Sequence, residues 1–271
     1  MAKLVGSCIE TLPTYSNKIT LDMDARDRLI FPLDFSKIEE ARRYIDLLKD
    51  YVGLFKVGLS LFVAQGAQVL QTLQAITEGA NAKLFLDLKI HDIPETMAAT
   101  HRNAAIYGAQ FVTVPCDQGR RLLKAVVDEF SDGIKVLGIT VLTSLSTQDL
   151  IDVGIHPILA EDITQLVLKR AEMAKKAGCN GVVCSGLEAS AVKAKFRQDF
   201  IVVTPGIRPE WGLVEKDDQK RIVTPRQAII NGADYIVVGR PIRTASDPRE
   251  AARKVIEEIE HALKDLEELR P

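Results

Sequence analysis

The sequence predicts an α/β protein folded as a single-domain (β/α)8 barrel, the TIM barrel, and three observations support this prediction. From Arg28 onward, short apolar runs rich in Val, Ile, Leu and Phe alternate with longer amphipathic segments, which is typical of βαβ units around a parallel sheet. We count eight such units, and eight parallel strands can close into a barrel. The chain of 271 residues is long enough for one such domain and shows no obvious linker.

The eight predicted strands are separated by segments long enough to form helices. In chain order the strands are RLIFPLDF from Arg28, LFKVGL from Leu54, KLFLDLK from Lys83, FVTVP from Phe111, KVLGITVL from Lys135, GVVCS from Gly181, FIVVTPG from Phe200 and YIVVG from Tyr235. Similar small-residue turns precede three of them and contain Gly108, Gly178 and Gly232. Glycine readily adopts the left-handed conformation that ends a helix, so these turns let the chain pass directly into the next strand.

The two ends of the chain differ from the repeating part. Near the C-terminus, Ser246 or Asp247 can cap a long amphipathic helix, and Pro248 suits its first turn. Residues 1–27 do not fit the strand and helix repeat. We therefore expect an N-terminal extension that packs on a barrel formed by residues 28–271.

Composition and charge exclude several classes of protein. The formal net charge of −2 argues against a broad binding surface for nucleic acid or for an anionic membrane. The sequence has no run of about 18 apolar residues that could span a membrane, and its first residues do not resemble a signal peptide. The cysteines form no CxxC pair and have no metal-ligand spacing with histidines; they are Cys8, Cys116, Cys179 and Cys184. We therefore expect a cytoplasmic protein with reduced thiols.

The third predicted strand carries charges where a buried strand should have none. Side chains alternate between the two faces of a strand, so Phe85, Asp87 and Lys89 point one way while the leucines between them point the other. The leucines suit packing against helices, which leaves Asp87 and Lys89 facing the barrel interior. Burying charges there is unfavourable unless they are paired or take part in chemistry. Taken alone, the two residues could be a structural ion pair.

Neighbouring strands add further charges at the same end of the barrel. Asp34 ends the first predicted strand, Lys56 lies in the second, and Asp92 follows the third. A solvated charge would explain any one of them, but charges on three consecutive strands favour a common site, and active sites of such barrels lie at this end. Alternating carboxylates and ammonium groups would hold one another charged and fixed, as electrostatic catalysis requires.

The last two strands are followed by a candidate phosphate site. Gly206 and Arg208 follow the seventh strand, and Gly239 and Arg240 follow the eighth, on two loops that commonly bind phosphate in this fold. Glycine lets backbone amides approach an anion and arginine offers forked donors, although surface charge is an alternative explanation. The polar segment between these strands contains Gln219 and is long enough to be a lid.

The charged residues of the third unit spell a known family signature. The pattern DxKxxDIP is formed by Asp87, Lys89, Asp92, Ile93 and Pro94. The whole stretch DLKIHDIPET resembles bacterial orotidine 5′-monophosphate decarboxylases. The resemblance extends from about Arg28 to Arg243 and includes PLDF, FKVG, VLTS, TPGIR, DDQKR and VVGRPI in that order.

This resemblance implies a cofactor-free decarboxylation of orotidine 5′-monophosphate to UMP, the last step of de novo pyrimidine nucleotide synthesis. It implies that Lys89 donates a proton to C6 of the base and that Asp87 lies beside the departing carboxylate. Asp34 and Lys56 would bind ribose hydroxyls and brace the catalytic charges. Neither a metal nor an organic cofactor is implied.

The same resemblance implies a homodimer with shared active sites. Asp92, Ile93 and Thr96 would enter the site of the partner subunit, where Asp92 would act in catalysis. The other expected substrate contacts lie on loops: Thr143 and Ser144 at the pyrimidine, and Arg208, Gln219, Gly239 and Arg240 at the phosphate.

Two alternatives stay open at this point. A magnesium-dependent 3-keto-gulonate 6-phosphate decarboxylase, or another sugar-phosphate enzyme of the same superfamily, shares the DxKxxD core, although DIPET and DDQKR favour the nucleotide enzyme. The second alternative is a barrel that binds a nucleotide without catalysis, and the complete set of charges argues against it.

Overall fold

The computed structural model of the protein describes residues 23–79, 82–130, 133–197, 199–212 and 219–269. Most of the predicted N-terminal extension, residues 1–22 with Cys8, lies outside the described residues, so its packing on the barrel stays a prediction. Within the described part of the chain, no helix is long and apolar enough to cross a membrane.

Eight parallel strands form a closed barrel in the order of the sequence, which confirms the predicted fold. The strands are β1 (Leu29–Pro32), β2 (Leu54–Gly58), β3 (Lys83–Asp87), β4 (Ala109–Pro115), β5 (Lys135–Ile139), β6 (Gly181–Val183), β7 (Ile201–Thr204) and β8 (Tyr235–Val237). Most of them end earlier than predicted, because the residues that follow leave the hydrogen-bond ladder and form the loops at the carboxyl end of the barrel.

Helices surround the barrel and connect successive strands. They are α1 (Ala25–Arg28), α2 (Ile38–Leu48), α3 (Leu59–Gln65), α4 (Gln68–Gly79), α5 (Pro94–Ala105), α6 (Arg120–Val127), α7 (Thr147–Asp152), α8 (Pro157–Glu161), α9 (Ile163–Ala177), α10 (Ala189–Phe196), α11 (Pro225–Ile230), α12 (Arg240–Arg243) and α13 (Pro248–Glu268). Single 3-10 turns form at Cys116–Gln118 and Glu210–Gly212.

Local sequence signals account for several boundaries of these elements. The side chain of Asp247 caps α13 by accepting hydrogen bonds from the backbone N–H groups of Arg249 and Glu250, at 3.0 and 3.3 Å, and Pro248 is the first residue of the helix. The predicted left-handed glycines have φ angles of 68°, 96° and 97° at Gly108, Gly178 and Gly232.

The apolar core has two layers. The larger one lies between the strands and the surrounding helices. The smaller one fills the inside of the barrel and consists of Ile30, Leu54, Phe85, Phe111, Leu137, Val203, Tyr235 and Val237. Its rings meet edge to face, with centroids 5.7 Å apart for Phe85 and Phe111 and 5.1 Å apart for Phe111 and Tyr235. This inner layer supports the residues at the carboxyl ends of the strands.

A buried ion pair lies at the opposite, amino-terminal end of the barrel. Lys193 Nζ lies 2.6 Å from Asp234 Oδ2 and donates a second hydrogen bond to the carbonyl oxygen of Phe200 at 3.0 Å. Asp234 Oδ2 also accepts the backbone N–H of Val202 at 2.7 Å. Because these contacts join α10 to the starts of β7 and β8, their role is in stability and not at the candidate site.

Candidate active site

A cavity of about 500 Å³ opens at the carboxyl ends of the barrel strands. Phe85, Val203 and Val237 of the inner apolar layer form part of its floor. The predicted site residues that line it are Asp34, Lys56, Asp87, Lys89, Thr143, Ser144, Arg208, Gln219, Gly239 and Arg240. Residues from six different strand ends or the loops that follow them are thus brought to one cavity.

Lys89 reaches this cavity from a loop, so the prediction that the third strand runs through it is wrong. Strand β3 ends at Asp87, and Lys89 has a φ of 49°, in the left-handed region that residues other than glycine rarely adopt. The alternation of side chains along a strand therefore does not determine where the Lys89 side chain points. The turn nevertheless brings Lys89 Nζ to 2.7 Å from Asp87 Oδ1.

Asp87 lies between two ammonium groups. Lys56 Nζ is 3.2 Å from Asp87 Oδ2 on the side opposite Lys89, and 3.8 Å from Asp34 Oδ1. The side chains of Asp87 and Lys56 are only 8% and 12% exposed, so water screens this array weakly. The array pairs carboxylates with ammonium groups. Among the described residues, no group of three or more His, Cys, Asp or Glu side chains could hold a metal ion.

The charges of this array sustain one another. Burial alone would raise the pKa of Asp87, but the charges of Lys56 and Lys89, together with hydrogen bonds from Lys89 and Thr113, lower it to about 2. Burial alone would lower the pKa of Lys56, but the charges of Asp87 and Asp34 more than offset this, so the pKa of Lys56 lies above its usual value. Both groups are therefore ionised at neutral pH.

The opposite side of the cavity joins the two loops that were predicted to contact phosphate and pyrimidine. The hydroxyl of Thr143 donates a hydrogen bond to Gln219 Oε1. Arg208 is 6% exposed, and its backbone N–H donates to the carbonyl oxygen of Val223 at 2.9 Å. Gly206 has a φ of 77°, and a Cβ there would lie 3.0 Å from the Arg221 carbonyl oxygen, so both conformation and space favour glycine.

A buried arginine that the sequence analysis missed ties these loops together. Arg221 Nη1 pairs with Glu188 Oε1 at 2.7 Å, and Nη2 donates to the carbonyl oxygens of Val141 and Leu142, each at 3.0 Å. Arg221, the last residue of the DDQKR stretch, therefore ties this loop to the segments that follow β5 and β6. Within the predicted lid, residues 213–218 lie outside the described residues.

A second missed residue is Arg243, which also lines the cavity. Its Nη1 donates to the carbonyl oxygen of Asp34 at 2.8 Å, and its guanidinium lies 5.9 Å from the centre of the Phe35 ring. Its position, three residues after Arg240 on the short helix α12, is the signal that could have found it, because residues three apart share a helix face.

Three predicted site residues do not belong to this cavity. Asp92, Ile93 and Thr96 lie together around the start of α5, where all three are exposed and Ile93 is 63% exposed. Asp92 Oδ1 accepts the backbone N–H of Ile93 at 2.7 Å. Within one chain these residues therefore face outward from the barrel.

A known protein family matches the part of the chain that forms the barrel. A family model described as the orotidine 5′-phosphate decarboxylase / HUMPS family matches residues 27–255, which include all eight strands of the barrel. The chain belongs to this family.

Relatives within this family cover nearly the whole chain. The orotidine 5′-phosphate decarboxylase of Desulfosudis oleivorans is 51% identical over 240 residues, which are 88% of this chain and 95% of the relative. The enzyme of the same name from Gloeothece citriformis is 42% identical over 237 residues, covering 86% of this chain and 97% of the relative.

A solved structure agrees with the fold. The crystal structure of orotidine 5′-phosphate decarboxylase from Lactobacillus acidophilus superposes with a TM-score of 0.71 at 33% identity, covering 85% of this chain and 98% of that one. The barrel of the present chain is thus the barrel of this decarboxylase family.

Proposed function

We propose that this protein is a carboxy-lyase that decarboxylates orotidine 5′-monophosphate to UMP in pyrimidine nucleotide synthesis, without a metal or an organic cofactor. Family membership and the named relatives support this activity. The observation that carries it is the alternation of Lys56, Asp87 and Lys89 along one wall of a cavity whose other wall carries arginines. The relatives do not favour the magnesium-dependent sugar-phosphate alternative.

Decarboxylation requires an ammonium group beside C6 of the base. When the bond between C6 and the carboxylate breaks, its electron pair stays on C6 in the plane of the ring, where it cannot delocalise into the π system. Lys89 stabilises this developing charge and then transfers its proton to C6, which gives UMP and carbon dioxide. Its contact with Asp87 at 2.7 Å fixes the ammonium before the substrate arrives.

The neighbouring charges have separate tasks. Asp87 lies beside the departing carboxylate and holds Lys89 and Lys56 in place. Asp34, whose side chain is half exposed at the mouth of the array, binds ribose hydroxyls together with Lys56. We assign the larger share of catalysis to stabilisation of the carbanion, because preorganised charges act on the transition state directly.

The far wall holds the rest of the nucleotide. Arg208, Gln219, Gly239 and Arg240 bind the phosphate, while Thr143 and Ser144 contact the pyrimidine. The hydrogen bond between Thr143 and Gln219 supports a joint action of these two sets, because it links the base loop to the phosphate loop. Binding energy from the phosphate can then favour the arrangement in which the base is enclosed.

We further propose a cytoplasmic homodimer in which each chain completes its partner's site. Asp92, Ile93 and Thr96 are the contributed residues, and their exposure at the start of α5 supports this role. Asp92 would face Lys89 of the partner subunit and add a second carboxylate beside the proton donor.

The test is the loss of orotidine 5′-monophosphate absorbance on addition of purified enzyme in the presence of EDTA. We expect rapid loss with the wild type and none with a folded Lys89→Ala variant. An inactive wild type that regains activity with magnesium would refute the proposal in favour of a metal-dependent enzyme. Tight binding of UMP without turnover would instead indicate a nucleotide-binding barrel.

A further inference from the structure

Thr113 lies directly beside Asp87 on the inner face of the barrel. In the parallel ladder between β3 and β4, Phe85 pairs with Phe111 and Leu86 with Val112, so the next pair along both strands is Asp87 and Thr113. Phe85 and Phe111 belong to the inner apolar layer, and alternation puts Asp87 and Thr113 on the same face one step higher. Thr113 is 2% exposed and does not line the cavity.

The Thr113 hydroxyl makes two hydrogen bonds whose directions are determined by their partners. The Asp87 carboxylate can only accept, so Thr113 Oγ1 donates to Asp87 Oδ1 at 3.0 Å. The backbone N–H of Lys89 can only donate, so the same oxygen accepts from it at 3.3 Å. One hydroxyl therefore contacts the carboxylate and the backbone of the lysine that pairs with it.

Both contacts act on features that need support. The left-handed conformation of Lys89 is unfavourable for a residue other than glycine and persists only where surrounding contacts offset its cost, and the bond to its N–H is such a contact. The Asp87 side chain must present one oxygen to Lys89 and the other to Lys56, and the bond from Thr113 fixes that rotation.

The backbone of Thr113 is itself anchored. His101 Nε2 lies 3.2 Å from the Thr113 carbonyl oxygen, and His101 Nδ1 lies 2.7 Å from the carbonyl oxygen of Met97. Thr113 is thus held against α5, the helix that begins immediately after Ile93.

We infer that Thr113 is a positioning residue that aligns Asp87 and Lys89 for proton transfer to the substrate. This inference rests on the proposed function and adds to it a residue that does not touch the substrate. The Thr113 hydroxyl orients the Lys89 ammonium in two ways: it holds the backbone of Lys89, and it holds the Asp87 carboxylate with which the ammonium pairs. Its loss should change the chemical step more than substrate binding.

The main test compares Thr113→Val, which keeps the shape without the hydroxyl, with Thr113→Ser, which keeps the hydroxyl. We expect kcat to fall about 10- to 100-fold in Thr113→Val with little change in KM, because small misplacement of a catalytic group has effects of that order. Thr113→Ser should recover most of the activity. If Thr113→Val does not fold, Thr113→Ala measured against Thr113→Ser isolates the hydroxyl in the same way.

A second readout is the acid limb of the kcat profile. The Thr113 hydroxyl favours the ionised carboxylate, so its removal should raise the pKa of Asp87 and move this limb to higher pH. A purely structural role would lower stability without moving the limb.

Thr140 offers a matched control at the same rim. Its buried hydroxyl donates to the carbonyl oxygen of Val183 at 2.7 Å, and it neither lines the cavity nor contacts Asp87. We expect Thr140→Val to lose stability while keeping kcat.

The outcomes separate this inference from the proposed function. A wild type that does not decarboxylate orotidine 5′-monophosphate contradicts the proposed function. An active wild type with a Thr113→Val variant of equal kcat overturns the role of Thr113 alone. The role of Thr113 is also overturned if Thr113→Ser loses as much activity as Thr113→Val. Where Thr113→Val does not fold, the same comparison is made with Thr113→Ala.

Discussion

Lys89 Nζ lies 2.7 Å from Asp87 Oδ1 although only Asp87 belongs to a strand. The pair therefore joins the rigid ladder of the barrel to the first turn of a loop. A donor held in this way keeps its direction through its partner and through the hydrogen bonds of its own backbone.

The first prediction concerns the pH dependence of stability that Asp87 confers. Its pKa of about 2 lies below the usual value of 3.8, so its stabilising contribution is present above the usual pKa and is lost as pH falls towards 2. Asp87→Asn removes this dependence. The difference in free energy of unfolding between wild type and Asp87→Asn should shrink by about 1 kcal/mol between about pH 6 and pH 3. Urea unfolding at each pH measures it, and a constant difference would contradict the prediction.

The second prediction concerns Arg240, one of the two arginines that we propose bind the phosphate. Arg240→Ala should lower kcat/KM for orotidine 5′-monophosphate by about 100-fold or more, because positioning by a charged clamp is lost. Orotidine, which lacks the phosphate, should be turned over equally by wild type and variant. Steady-state kinetics with both substrates checks this.

The control for that experiment is Arg253→Ala, an exposed arginine on α13 that pairs with Glu250 and Glu257. It should leave both activities unchanged. Near-normal turnover of the nucleotide by Arg240→Ala at low substrate concentration would contradict the proposed role of Arg240 in binding the phosphate.

The third prediction tests the shared site. Lys89→Ala and Asp92→Ala homodimers should each be nearly inactive, because each lacks one member of every site. Mixing them under conditions of subunit exchange should restore activity, since hybrid dimers contain one site with both residues. The yield of hybrids can be followed by mass spectrometry of the intact dimer. Hybrids without activity would show that Asp92 acts in its own chain or not at all.

The fourth prediction concerns the buried pair of Lys193 and Asp234 at the amino end of the barrel. Lys193→Met should reduce the free energy of unfolding by about 3 kcal/mol or more, because it leaves a buried carboxylate without its partner. Lys193→Met with Asp234→Asn should recover part of this loss. Activity per folded molecule should stay at the wild-type level in both, and a change in KM would contradict the separation of stability from catalysis.

The sequence predicted the barrel well because its evidence is periodic. Alternating apolar runs repeat eight times, so small errors at each strand end do not change the fold. Lys56 and Asp87 were found because charge is conspicuous in a buried strand. Asp87 is the clearest example, since its neighbours on both sides are leucines.

Other features depend on tertiary contacts that no local pattern encodes. The left-handed turn at Lys89 carries no glycine or asparagine to announce it, and it is held by Thr113 from the next strand. Arg221 acts through the carbonyl groups of Val141 and Leu142, about eighty positions away in the chain, which only the closed barrel brings near. The sequence could have revealed Thr113, because the alternation of side chains along a strand places it on the same face as Phe111.

The inner layer of Phe85, Phe111 and Tyr235 seals the barrel axis beneath the Asp87 carboxylate. Carbon dioxide formed at C6 must therefore depart through the mouth by which the nucleotide entered. The gas is small and uncharged, whereas UMP would be retained by the proposed phosphate site, so we expect the products to leave in a fixed order with the nucleotide last. On this proposal, release of UMP, and not escape of the gas, determines how soon the next molecule can enter.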